Sequence, residues 1–204
     1  MKAFLFRAVL ICLTFLIARN AYGQTIMPEK ATDISPLLIG EMAPDLVLKN
    51  SKSEDVKLAD LIKSRPTVLI FYRGGWCPYC NLHLAELQTI EREILELGYQ
   101  IIAISPDSPS NLTASIEKHR LNYSLLSDAD MELSRAFGLA YSVPETSKER
   151  LKKASDGRNT GLLPVPSVFV FNQLGEIMFE YINPDYKKRL KGNLLLAVLK
   201  ELKQ

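Results

Sequence analysis

Histidine is scarce: His83 and His119 are the only two in 204 residues, and Trp76 is the single tryptophan. A structural zinc site takes four nitrogen or sulfur ligands, so cysteine would have to supply the rest. Cysteine is scarce too, at Cys12, Cys77 and Cys80. With no second CxxC and no HxxxH, a zinc site is poorly provided for, and a disulfide-rich scaffold is excluded. Glycine-rich phosphate loops are missing: Gly74-Gly75 is too short and has no GxGxxG or GK[ST] context, so a nucleotide site has no support. No cofactor is expected. Nor is there a surplus of one charge. Lys2, Arg7 and Arg19 lie in a leader without acids, so residues 24–204 carry 22 basic and 23 acidic groups. Nucleic-acid binding needs a basic surplus to displace counterions from phosphates, and a nucleic-acid partner is not expected. No repeat or low-complexity tract occurs. What is abundant is apolar side chain, 47% of the chain, enough for one sizeable core.

Residues 1–23 have a basic start (Lys2, Arg7), an apolar run over residues 8–18, and a small-x-small ending at Ala21, Tyr22 and Gly23. That is the pattern of a secretory signal peptide. The competing reading is a membrane anchor, but the run is about half of the roughly 20 residues that a spanning helix requires, and Arg19 closes it. Cys12 would leave with the leader. The mature protein is then an exported one, periplasmic or secreted and not held in a membrane, with Cys77 and Cys80 in a space that permits disulfides.

Residues 24–37 are polar and mixed and read as an N-terminal extension. From 38 to 204, short runs rich in β-branched and aromatic residues mark strands at 46–48, 67–72, 100–105, 124–126, 167–171 and 177–181. Between them, Leu84, Leu87, Ile90, Ile94 and Leu97 form one apolar stripe on a helix that Gly98 ends. Weaker helical patterns cover 111–119, 131–137, 144–155 and 193–202. Strand and helix in alternation predict a three-layer α/β domain with a largely parallel sheet between helices. The short turn Asn172-Gln173-Leu174-Gly175 makes the last two strands antiparallel, so the sheet is mixed.

The segment from Phe71 to Cys80, FYRGGWCPYC, joins a buried strand to the strongest helix. A cysteine in the first helical turn sees unpaired backbone N–H groups and the positive end of the helix dipole, which favour the thiolate. Cys77 is therefore the candidate nucleophile. Cys80, one turn on, is within reach of a mixed disulfide or sulfenic acid on Cys77, and as the more buried thiol it is the candidate resolving group. Pro78 suits the first turn because it has no N–H to leave unsatisfied. A purely structural disulfide is the bland alternative, although closing so short a loop stabilises little. Trp76 and Tyr79 flank the cysteines as a rim for a partner or as packing. Arg73 is a nearby positive charge or a solvated loop residue. The run Lys148, Glu149, Arg150, Lys152 and Lys153 reads as a solvated helix face.

These residues carry a resemblance. FYRGGWCPYCNLHLAELQ over residues 71–88, together with Gly40-Glu41-Met42-Ala43-Pro44-Asp45-Leu46, Lys57-Leu58-Ala59-Asp60-Leu61, Ile104-Ser105-Pro106, Leu126-Ser127-Asp128, Ala136-Phe137-Gly138-Leu139, Leu163-Pro164-Val165-Pro166 and Asn183-Pro184-Asp185-Tyr186, resembles the peroxiredoxin-like branch of the alkyl hydroperoxide reductase and thiol-specific antioxidant (AhpC/TSA) family. The resemblance implies a thioredoxin-like fold, antioxidant activity, a thiol electron donor or thioredoxin-like reductant, and a hydroperoxide substrate. It also exposes departures. Where such proteins carry Thr or Ser three residues before the reactive cysteine and Pro seven before, this chain has Gly74 and Ile70, and where an arginine is expected ahead of the strand at 167–171 it has Pro166. Val165-Pro166 looks instead like the thioredoxin arrangement, in which a cis proline beside the CxxC leaves backbone groups free to pair with a substrate chain.

The leading expectation is an exported thiol–disulfide oxidoreductase cycling a Cys77–Cys80 pair, acting on protein disulfides in preference to hydroperoxides. The alternatives are a thiol peroxidase of the ordinary peroxiredoxin kind, and a non-catalytic thioredoxin-like binding module with a structural disulfide. Exported protein should begin at Gln24 by intact-mass analysis. A mature species that keeps Met1 or Cys12 would mean a retained anchor.

Overall fold

The structure, a computed structural model, describes residues 27–203. The expected leader and its cleavage point lie outside them. The elements in order are β1 (Val47–Asn50), β2 (Asp55–Lys57), α1 (Leu58–Ser64), β3 (Thr67–Phe71), α2 (Pro78–Glu96), β4 (Gln100–Ser105), α3 (Pro109–His119), β5 (Ser124–Ser127), α4 (Glu132–Ala136), β6 (Ala140–Ser142), α5 (Glu145–Ala154), β7 (Leu162–Pro164), β8 (Ser167–Phe171), β9 (Ile177–Ile182) and α6 (Gly192–Leu202). Seven strands form one sheet in the order β2-β1-β5-β4-β3-β8-β9, and β6 pairs with β7 apart from it. No described helix is long and apolar enough to cross a membrane.

The three-layer α/β arrangement and the antiparallel β8–β9 hairpin are those expected from the sequence. The sheet is less parallel than expected: only β3–β4 and β4–β5 run parallel. Those two pairs are the ones joined by crossover helices, α2 and α3, and a crossover returns the chain to the same end of the sheet. β8 arrives through α4, β6, α5 and β7 and enters beside β3 from the opposite end.

β3 is buried on both faces. Val68 and Ile70 turn toward Leu84, Leu87 and Ile94 of α2 and toward Leu195 and Leu199 of α6. Leu69 and Phe71 turn the other way, toward Leu58, Ile62, Phe137 and Phe169. This is the period-2 alternation of a central strand covered on both sides. The stripe read on the sequence is the buried face of α2, and its C-terminus closes as expected. Gly98 takes φ +95°, and the Tyr99 and Gly98 N–H groups donate to the carbonyls of Ile94 (3.1 Å) and Leu95 (3.0 Å).

The segment ahead of residue 38 lies on the domain. The Leu37 N–H donates to the Phe137 carbonyl at 3.1 Å, and Ile34 and Leu37 pack against the second core layer. That layer centres on Phe137, whose ring lies 4.8 Å from Phe71 and 5.1 Å from Phe169, in tilted and edge-on geometry. Phe71 ends the strand that leads into the cysteine loop. Phe137→Ala should therefore cost about 3–5 kcal/mol of stability in urea titration, and a loss under about 1 kcal/mol would show that the layer repacks without it.

Candidate active site

β3 delivers the chain into a five-residue loop, Tyr72 to Trp76, and α2 starts at Pro78. Cys77 is the residue that caps the helix (φ −91°, ψ 115°), one position outside the first turn where the sequence reading put it, and Pro78 is the first helical residue. Its carbonyl accepts the N–H groups of Cys80 and Asn81, each at 3.1 Å. The loop is tied down from two sides. Asn81 Nδ2 donates to the Gly75 carbonyl at 2.9 Å, and the Gly75 N–H donates to Oδ2 of Asp107 at 2.7 Å. Asp107 is itself buried at the end of β4, where Ser105 Oγ donates to it at 3.2 Å, and burial pushes its carboxyl pKa up to about 6.

Gly74 explains the missing hydroxyl. Its φ of +133° disfavours any side chain, and a Cβ there would collide with the Trp76 indole nitrogen and come within 2.8 Å of Asp107 Oδ1. The space of a Thr or Ser is taken by an indole N–H and a carboxyl group.

Both cysteines are free and buried, with Cys77 1% and Cys80 0% exposed. They titrate in opposite directions. Cys77 is lowered to about 6, chiefly by the Cys80 thiol hydrogen-bonding to its sulfur; burial opposes this, and the Cys80 N–H and the Arg73 and Arg189 cations add to the lowering. Cys80 is pushed well up, mostly by burial and then by Cys77. The pair thus holds a more acidic thiol at Cys77 and a protonated one at Cys80.

Arg73 is not a solvated loop residue. It is half-buried, its guanidinium lies 4.1 Å over the Tyr186 ring and 5.1 Å from the Trp76 ring, and its Nε has no hydrogen-bond partner. Trp76 also packs against both the main core and Val143, Leu151 and Leu163, while Tyr79, 39% exposed, meets Tyr186 edge-on at 5.7 Å. Trp76 is thus largely packing and Tyr79 a rim residue. Arg150, assigned to a solvated face, lies 5.2 Å from the Trp76 ring.

The expectation for Val165-Pro166 fails. Among the described residues no peptide bond is cis. The local backbone is also already engaged: the Val165 N–H donates to the Leu139 carbonyl (3.0 Å), the Val165 carbonyl accepts Ser167 Oγ (2.8 Å), and the Pro166 carbonyl accepts the Asn183 N–H (3.3 Å). Val165 is fully buried. No edge is left for a substrate chain to pair with, because these groups satisfy one another across the fold.

Arg189 is the residue that the sequence reading missed. Its Nη2 lies 3.5 Å from Cys80 Sγ, its Nη1 donates to the Tyr186 and Lys188 carbonyls, and its Nε is buried without a partner. It stands 109 residues from Cys80 in a run of lysines, and nothing in that run marks one cation as buried. Asp107 was missed likewise, although its place just after an apolar strand and Pro106 was a signal. Among the described residues, six of the eight buried polar atoms without a partner belong to this loop, α2 and the Arg189 segment: Tyr72 OH, Arg73 Nε, Trp76 Nε1, Asn81 Oδ1, His83 Nε2 and Arg189 Nε. Buried donors and acceptors left open in this way mark a site that receives a polar guest. No group of three or more His, Cys, Asp or Glu among the described residues is placed to hold a metal ion.

The model of the AhpC/TSA family matches residues 39–180. The chain belongs to that family. It is similar to peroxiredoxin Bcp of Escherichia coli K12, with 29% identity over 168 residues that cover 82% of this chain and 99% of the relative. Peroxiredoxin Bcp of Bacillus subtilis 168 is 38% identical over 99 residues, 48% of this chain and 62% of that one. The fold matches the crystal structure of peroxidoxin BcpB from Mycobacterium tuberculosis with a TM-score of 0.66 at 20% identity, covering 81% of this chain and 98% of the other. It matches reduced Prx3 from Vibrio vulnificus in complex with hydrogen peroxide with a TM-score of 0.69 at 17% identity, covering 80% and 99%. The AhpC/TSA chain is a thiol-dependent oxidoreductase with a thioredoxin-like fold, and the non-catalytic module is set aside.

Iodoacetamide labelling of Cys77 should follow a titration with a midpoint near pH 6, rising as pH increases because the thiolate is the reactive form, while Cys80 stays unlabelled through neutrality. Arg73→Ala and Arg189→Ala should each move the midpoint up. Midpoints that stay in place in both variants would remove the cations from the account.

Proposed function

We propose that this AhpC/TSA protein is an exported peroxidase in which Cys77 reduces hydroperoxides and Cys80 resolves the oxidised product. The observation that carries the reading is the buried Cys77 sulfur, held as a thiolate beside Arg73 and Arg189, each with an unused buried N–H. The thiolate attacks the terminal peroxide oxygen. The O–O bond breaks, the leaving alkoxide takes a proton to become an alcohol, and Cys77 becomes a sulfenic acid. Guanidinium donors near the thiolate are suited to the negative charge that grows on the leaving oxygen, and in a water-poor site such donors are strongest. Cys80 then attacks the sulfenic sulfur, a disulfide forms and water departs. The two cysteines stand one turn apart at the start of α2, which puts the resolving thiol next to the oxidised sulfur.

The names of the relatives support a peroxide substrate, and one of the structural neighbours is described as bound to hydrogen peroxide. Val165-Pro166 no longer argues for a protein disulfide. The CxxC spacing keeps disulfide reduction as a secondary activity of the same pair, with a thiol reductant closing either cycle.

The test is a comparison of kcat/KM for hydrogen peroxide, an alkyl hydroperoxide and a model protein disulfide with one dithiol donor. The hydroperoxides should lead. Cys77→Ser should abolish turnover, Cys80→Ser should leave a sulfenic acid trappable by dimedone, and Arg73→Ala should lower the peroxide value about 10- to 100-fold, as for one lost charge-assisted hydrogen bond. A protein disulfide that leads by tenfold would reverse the proposal.

A further inference from the structure

The loop between β9 and α6 carries Lys187, Lys188, Arg189 and Lys191, four cations in five residues, and it lies beyond the stretch that the family's model matches. It folds over the first turns of α2. Between them is a cleft of about 470 Å³ lined by Tyr79, Leu82, His83, Tyr181 and these four cations, within the range of cavities that hold small organic ligands. Glu86 is the only acid on its wall, and its Oε1 is occupied by the Gly192 N–H at 2.9 Å. Asp185, at the start of the loop, turns its carboxylate back to the Lys187 N–H at 3.1 Å. Among the described residues no ion pair engages Lys187, Lys188 or Lys191.

Two further observations point to an occupant. His83 is 4% exposed and its Nε2 has no partner. Burial, with Arg189 and Lys191 beside it, holds this imidazole neutral, and a neutral ring with an unpartnered Nε2 can exchange a hydrogen bond with a polar guest. Arg189 lines the cleft, has a free buried Nε, and reaches Cys80 Sγ with its other end. The cleft therefore joins a cationic wall to the redox pair, next to an apolar rim of Leu82 (70% exposed) and Tyr79.

We propose that this cleft binds the electron donor, and that the donor is a low-molecular-weight thiol bearing carboxylates. The proposal rests on the peroxidase reading above and deepens it. Lys187, Lys188 and Lys191 receive the carboxylates, Leu82 and Tyr79 cover the carbon chain, and the thiol is directed to the Cys77–Cys80 disulfide. The donor thiolate attacks the Cys77 sulfur, forming a mixed disulfide. The Cys77–Cys80 bond breaks, and its electron pair goes to Cys80, which takes a proton beside Arg189. A second donor thiolate attacks the donor sulfur of the mixed disulfide, and Cys77 leaves as the thiolate. Two thiols are oxidised to one external disulfide, and the protein is reduced by two electrons.

The experiment uses the full chain oxidised to its Cys77–Cys80 disulfide with diamide, so that the peroxide step is not involved. Reduction is followed by the fluorescence of Trp76, with glutathione compared against its ethyl ester at equal thiolate concentration. Glutathione should react about tenfold faster or more at low salt, and the advantage should fall as salt is raised. The triple variant K187E/K188E/K191E should bring acid and ester to parity, while its rate of oxidation by hydrogen peroxide, measured separately from the dithiol form, stays at the wild-type value. Acid and ester reacting equally in the wild type would overturn the proposal, as would a triple variant that slows both equally. An oxidation rate negligible in wild type and variant alike would instead count against the peroxidase reading and leave the donor comparison standing.

Discussion

A thiolate that is 1% exposed to water has to be compensated by the protein, and the site is organised around that requirement. The compensation comes from three directions: a thiol proton from Cys80 on the same helix, the open end of α2, and two guanidinium groups from the loops that enclose it. Each works only because the others hold. Were Cys80 ionised, it would raise Cys77 instead of lowering it, and Cys80 stays protonated because it is buried beneath the helix mouth. Burial thus separates the titration of two chemically identical side chains, so that the pair holds one thiolate and one thiol near neutral pH.

The fold supplies the rigidity that this division needs. β3 is covered on both faces and cannot slide, so the loop that follows it starts from a fixed point. Asp107, at the end of the neighbouring strand, holds the Gly75 N–H, and the indole of Trp76 fills the space beside Gly74. The hydroxyl usual in such sites is absent because its volume is used by these two groups. Arg73, Tyr186 and Tyr79 then build one aromatic and cationic rim from the β3 loop, the segment after β9 and the first turn of α2.

Arg73 and Arg150 lie against the Trp76 ring, and Arg73 also lies over Tyr186, whose ring meets Tyr79. Arg189 lines the cleft beside His83 and the lysine cluster and reaches Cys80. The lysine-rich loop is long enough to vary without disturbing the sheet, because it connects the last strand to the last helix at the surface.

Much of this was legible in the residues alone. The alternation in β3, the stripe and Gly98 of α2, the β8–β9 hairpin and the placing of Cys77 and Cys80 at the start of α2 are local, and local patterns are what periodicity and capping rules read. The small β6–β7 pair that brackets α5 and the predominance of antiparallel pairing were not legible, since partner choice depends on where the chain re-enters the fold. Val165-Pro166 misled for the same reason: the dipeptide looked free, and only the fold brought Leu139, Ser167 and Asn183 to its backbone groups. Arg189 and Asp107 lie 109 and 27 residues beyond Cys80. Sequence determined that two thiols stand one turn apart at the mouth of α2. The choice of the cations and the carboxyl group that surround them belonged to the tertiary structure, because charge acts through distance in space, and the chain sets that distance only once it has folded.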